Sequence, residues 1–232
     1  MNKLSIALCL AALLGALPLH AAERPAVLPD TMAQRLVACT SCHAKKDVND
    51  QFFPRISGKP AGYLYKQMVN FRDGRRQYPL MTYMVEHLPD AYLREIADHF
   101  AAGHLPSPPA QKTDAAPAIL ERGRVLAMQG DAALKVPACI ACHGDKLTGV
   151  APFIPGLAGL PRDYVNAQFG AWRNKVRRAD APDCMADIAN RLSLSDVSAI
   201  SAWLGLQPVP PDARPASAIA RPLPMKCGSA PD

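Results

Sequence analysis

The sequence predicts an all-α chain built as two tandem three-helix modules, and three observations carry that expectation. The stretch Cys39-Thr40-Ser41-Cys42-His43 returns as Cys139-Ile140-Ala141-Cys142-His143. A wider similarity runs through the residues that follow each copy. Apolar positions in both halves fall at helical spacing, with no convincing strand among them.

Residues 1–22 hold Lys3, the apolar run Leu4 to Leu17, then Pro18 and the small residues Ala21 and Ala22. A basic start, a short apolar core and a small-residue exit describe a secretory signal peptide. The run is too short to span a bilayer, and no later stretch approaches the length a membrane helix needs, so no membrane span is expected after cleavage. Residues 23–105 then form the first module, 106–117 a proline-rich linker and 118–206 the second module. Residues 207–232 are a tail with seven prolines and little apolar periodicity. Left free, such a tail would be disordered.

In the first module Asp30 is placed to cap a helix running into Cys39. Pro60 opens a helix over Ala61 to Asp73 that Gly74 stops, and Asp90 caps a helix to about Ala102. In the second, helices are expected near Pro117 to Met128, Pro161 to Lys175 and Ser195 to Leu204. The similarity between halves is specific. Phe53-Pro54-Arg55-Ile56-Ser57-Gly58 matches Ile154-Pro155-Gly156-Leu157-Ala158-Gly159 at an offset of 101, as Tyr63, Gln67, Phe71 and Arg72 match Tyr164, Gln168, Trp172 and Arg173. Met81, Leu88 and Ile96 meet Met185, Leu192 and Ile200 at 104.

C-x-x-C-H is the attachment signature of c-type haem: each thiol adds across a vinyl group, and the histidine faces the iron. Two copies point to two covalently bound haem c groups, held by Cys39, Cys42 and His43 and by Cys139, Cys142 and His143. A zinc site on the four thiols would leave both histidines unexplained, and a thiol redox pair would want a βαβ setting that the sequence lacks.

Above the iron, a methionine sulfur suits electron transfer because it is soft and favours the ferrous state. Met81, Met84 and His87 lie in the joint before the last helix of the first module, whereas Met68 belongs to a core helix face. The second module offers Met185, eight residues before Ser193, just as Met81 stands eight before Pro89. Met81 and Met185 are therefore the expected distal ligands, with Met84 as the fallback. Pro54 and Pro155 lie where a carbonyl can accept from the second ring nitrogen of His43 and His143. A phenol followed by an arginine nine positions on, Tyr63 with Arg72 and Tyr164 with Arg173, offers donors to buried carboxylates.

With both C-x-x-C-H motifs, the Pro-x-x-x-Gly turns, the segments Tyr63 to Arg75 and Tyr164 to Arg173, and Leu80-Met81-Thr82-Tyr83-Met84 in view, residues 30–206 resemble the dihaem cytochromes of the c4 type. The resemblance implies two class I cytochrome c folds related by a pseudo-twofold axis, with haem propionates meeting near the domain interface and Tyr63 and Tyr164 beside them. It implies a periplasmic electron carrier feeding a terminal oxidase.

Setting aside Cys9 and the four motif thiols leaves Cys184 and Cys227, which pair most simply in an oxidising compartment. The resembled family lacks both this pair and the tail, so the tail is expected to fold back and clip the segment presenting Met185. A free Cys184 thiolate would instead be a rival iron ligand, as in haem enzymes of sulfur-compound oxidation. Without Lys3 the chain carries 25 basic against 20 acidic residues, and four propionates would bring it close to neutral. That balance argues against nucleic acid as a partner. Clusters such as Arg75-Arg76 and Lys175-Val176-Arg177-Arg178 read as exposed charges that steer docking to a redox partner, be it an oxidase, a dehydrogenase or a cytochrome complex. No acid and base pair or nucleophile constellation accompanies the motifs. The expectation is an electron-transfer protein, monomeric or weakly dimeric; the alternative is a haem enzyme or a dedicated electron-accepting subunit of a periplasmic dehydrogenase, for example of thiosulfate or alcohol.

Overall fold

The computed structural model describes residues 30–43, 52–104, 109–219 and 221–230; the expected signal peptide, residue 105 at the end of the expected first module and residues 106–108 of the expected linker lie outside them. Helical structure starts at Thr31, whose extended backbone lets its hydroxyl accept from the Gln34 amide and cap α1 (Met32–Arg35). Asp30, which the sequence points to as the cap, is drawn to the Arg35 guanidinium at 2.6 Å. The chain breaks at buried Leu36 and resumes as α2 (Val37–His43).

Pro60, which has no amide hydrogen to leave unpaired, precedes α3 (Ala61–Arg72). Gly74 takes a φ of 71° just past its end, a conformation open to glycine at little cost. There follow α4 (Pro79–Val85) and α5 (Asp90–Ala102), both packed on α3 around Leu64, Phe71, Leu93, Ile96 and Phe100. The second module runs α6 (Pro117–Met128), α7 (Ile140–His143), α8 (Arg162–Arg173), α9 (Cys184–Arg191) and α10 (Leu194–Gly205). Between α7 and α8 lies a short antiparallel pair, β1 (Gly149–Val150) with β2 (Ile154–Pro155). The all-α class with two modules therefore holds. Segments read as plain joints contain two short helices, α4 and α9.

Helices α6 and α10 cross where a side chain at Gly123 would collide with the Ala199 carbonyl oxygen, so a hydrogen is all that fits there. The start of α10 is held by a capping box: the Ser193 hydroxyl accepts from the Asp196 amide at 3.0 Å, and the Asp196 carboxylate accepts from the Ser193 amide at 3.1 Å. Arg122 of α6 then joins Asp196 at 2.8 Å and Asp131 at 2.9 Å. Burial alone would raise the Asp196 carboxyl, but hydrogen bonds from Ser193 and Arg122 outweigh it and hold the group below its usual value. A carboxyl depressed in the folded state contributes stability above its unfolded pKa and loses it as pH falls through the folded one. Asp196→Asn should cost about 1 to 2 kcal/mol at neutral pH. The gap from the parent protein should close below about pH 4, as urea midpoints at both pH values would show.

The two modules meet through a self-complementary bridge. Gln77 N donates to Val176 O and Arg178 N to Arg75 O, both at 2.7 Å, around an antiparallel pairing of Arg76 with Arg177. Residues 75, 76 and 77 correspond to 176, 177 and 178 at the repeat offset, so each half gives what it receives, as a twofold contact requires. The tail folds back on the second module. Ala216 exchanges backbone hydrogen bonds with Gly149 and Ala151, and Ala230 is buried with Val150 and Ile154. Cys184 and Cys227 form a disulfide.

Candidate functional site

Helix α2 presents Cys39, Cys42 and His43, and α7 with its cap presents Cys139, Cys142 and His143. After each motif the chain returns a proline carbonyl to the histidine. His43 Nδ1 lies 2.7 Å from Pro54 O, and His143 Nδ1 lies 2.7 Å from Pro155 O. A carbonyl can only accept, so each Nδ1 carries the hydrogen and each Nε2 keeps a lone pair free for a metal. Burial lowers the pKa of both rings against the opposing effect of the proline carbonyls, which favours the neutral, ligating form.

The four motif thiols are free. Burial pushes Cys139 up to about 12 and raises Cys39 and Cys142, the reverse of what a thiol redox pair uses. Among the described residues no group of three or more Cys, His, Asp or Glu stands where a zinc ion would be held.

In the second module Cys139, Cys142, His143, Met185 and Trp172 line one largely apolar cavity, with Val165, Phe169 and Ile200 among its walls. The Trp172 indole N–H is buried there with no hydrogen-bond partner, which marks a place for an acceptor the chain does not provide. Met185 sits on the first turn of α9 beside the disulfide. Since Cys184 is bonded to Cys227, no thiolate at that position is available to iron. In the first module Met81 and Met84 both pack on the core from α4, as does Met68 from α3, whereas the His87 side chain is 89% exposed.

Tyr164 is buried, and its hydroxyl lies 3.3 Å from Arg76 Nη2 across the module boundary. Burial alone would raise this phenol, yet the guanidiniums of Arg76 and Arg177 outweigh it and hold it below its usual value. Tyr63 enters the wall of the second module's cavity, and its amide donates to Pro152 O. Arg72 and Arg173 are engaged elsewhere. Arg72 Nη1 donates to Leu88 O at 3.2 Å and pairs with Asp90 at 2.7 Å, and Arg173 Nη1 donates to Leu192 O at 3.3 Å. Each thus pins the chain just beyond a methionine-bearing helix.

The arginines beside the tyrosines are Arg76 and Arg177, which the sequence suggests are exposed docking charges. The structure buries Arg177, and each guanidinium bonds both glutamines. Arg76 reaches Gln67 and Gln168, each at 2.9 Å; Arg177 reaches Gln168 at 2.7 Å and Gln67 at 3.2 Å. Arg76 stacks over Phe71 at 4.6 Å and Arg177 over Trp172 at 3.9 Å. The repeat offset that pairs Tyr63 with Tyr164 also pairs Arg76 with Arg177, and that was the available signal. Among the described residues no carboxylate pairs with either guanidinium. A buried guanidinium facing a second, half-buried one calls for an anion. The residues therefore fit c-type haem in both parts: thiols and a neutral imidazole for porphyrin and iron, and an N–H and guanidiniums for its carboxylates.

Comparison with known proteins agrees with this arrangement. No family model matches the chain. It is 33% identical over 208 residues to cytochrome c4 of Pseudomonas aeruginosa, covering 88% of this chain and 98% of that one. It is 32% identical over 176 residues to the thiosulfate dehydrogenase electron acceptor of Thiomonas intermedia, covering 75% and 80%. The crystal structure of reduced recombinant cytochrome c4 from Pseudomonas stutzeri superposes with a TM-score of 0.64 at 26% identity, covering 75% and 95%.

Proposed function

Since the chain belongs to the dihaem cytochrome c4 family, we propose that it binds two haem c groups covalently and passes single electrons between redox proteins of the periplasm. Bound haem supplies the ferric/ferrous couple. The chain's own residues do the rest. Cys39 and Cys42 tether one group and Cys139 and Cys142 the other. His43 and His143, held by Pro54 and Pro155, would each supply an imidazole ligand to iron. Met81 and Met185, their segments pinned by Arg72 and Arg173, would each supply a thioether ligand. Tyr63, Tyr164, Arg76, Arg177 and Trp172 receive the carboxylates. The observation that carries this reading is the repeated histidine-to-proline hydrogen bond, which fixes two equivalent imidazoles for metal binding, one in each module.

On this reading residues 1–22 are an export signal, 23–105 and 118–206 the two haem domains and 106–117 their linker. Among the described residues no helix is long and apolar enough to cross a membrane. The relatives named as thiosulfate dehydrogenase electron acceptors favour a more specific role, as the acceptor of electrons from such an enzyme. Reductive titration of the holoprotein should resolve two one-electron couples, and the reduced form should resist carbon monoxide because both distal positions are filled. Rapid carbon monoxide binding at either iron would count against a pure carrier.

A further inference from the structure

We propose that Lys59, carried by the first domain, reaches across the junction as the countercharge of the second domain's haem carboxylates and biases electrons toward that haem. This rests on the reading that each domain holds one haem. Lys59 lies between Gly58 and Pro60, immediately before α3. Its side chain leaves its own domain: Nζ lies 3.5 Å from Gly156 O, and the residue lines the same cavity as Cys142, His143 and Trp172.

A half-buried ammonium at a domain junction is stabilised by an anion, and among the described residues none pairs with Lys59. The contrast with Lys66, seven residues on, is instructive. Lys66 crosses the same junction and meets Asp180 at 2.9 Å, so a carboxylate is provided where the chain is to supply one. Desolvation holds the Lys59 ammonium below its usual pKa, the behaviour of a charge awaiting a partner. A carboxylate at the edge of that cavity would complete it.

The position is also asymmetric. Tyr63, Gln67 and Arg76 each have a like residue in the second half, but the counterpart of Lys59 at the same offset is Leu160, packed in the apolar core of its own domain. The second haem therefore receives a cation from the first domain, and the first receives none from the second at the matching position. A fixed positive charge stabilises the reduced iron, which carries one charge fewer, and the effect is strong where water is excluded. Two sites otherwise built alike would thus be ranked.

The test uses the full holoprotein and three variants, Lys59→Met, Lys59→Gln and Lys59→Arg, titrated spectroelectrochemically, with the two couples assigned by NMR of the haem methyl groups. Lys59→Met and Lys59→Gln should each lower the electron affinity of the second haem by about three- to tenfold, tenfold being 59 mV for a one-electron couple. The first haem should move less, and Lys59→Arg should stay near the parent value. Unmoved couples in the neutral variants, or equal shifts at both haems, would overturn the assignment. A parent protein that titrates with fewer than two couples would instead overturn the dihaem reading beneath it.

Discussion

Replacing Met185 with histidine should lower one of the two midpoint potentials by some tenths of a volt, within the roughly 0.8 V range that axial ligands span, and leave the other nearly in place. The thioether is soft and favours ferrous iron, whereas a second imidazole favours the ferric state. The exchange is sterically reasonable because Met185 stands on the first turn of α9, directly on the cavity that His143 also lines. Met81→His should lower the other potential. Met84→His is the paired measurement, since Met81 and Met84 both pack on the first core from α4. Potentiometry with visible spectra reads all three. A large fall with Met84→His but not Met81→His would transfer the ligand role by one helical turn, and two unmoved couples in Met185→His would remove Met185 from the iron.

Replacing both Cys184 and Cys227 with serine should destabilise the protein by about 4 kcal/mol on the chain-entropy account of a cross-link spanning 43 residues. Further loss should follow from release of the tail. That segment holds Lys66 through the Gly228 and Ser229 carbonyls and buries Ala230 against Val150 and Ile154. Guanidinium unfolding of the holoprotein would give the first figure, and limited proteolysis near residue 210 would report the second. Because Cys184 adjoins Met185, the serine variant should also bind carbon monoxide faster at the second haem. An unchanged unfolding midpoint would show that the tail docks without needing its cross-link.

Much of this arrangement could be read from the residues alone, because the motifs, the prolines that open helices and the glycines that follow them act locally. The parts that could not be read depend on distance in space. Helices α4 and α9 have seven and eight residues, too few to hold themselves, and they exist because α3 and α8 give them a surface. Arg72 follows Tyr63 by nine residues, and Arg173 follows Tyr164 likewise. On a helix of 3.6 residues per turn nine positions are two and a half turns, so phenol and guanidinium leave opposite faces. Gln67, four positions from Tyr63, shares its face. Arg76 and Arg177 lie past the ends of their helices, and a run of basic residues carries no sign of which member the partner module will cover. The tail's composition describes a disordered segment correctly for a free chain; a covalent bond to Cys184 overrides it.

The junction around Arg76 and Arg177 has the form of a contact between two copies of one smaller protein, each offering the same surface to the other. Joining such copies in a single chain makes their encounter independent of dilution, since the partner is always within reach. It also frees the halves from having to remain identical. A homodimer that acquires a lysine acquires it twice, whereas a fused pair can carry one on a single side, as Lys59 opposite Leu160 shows.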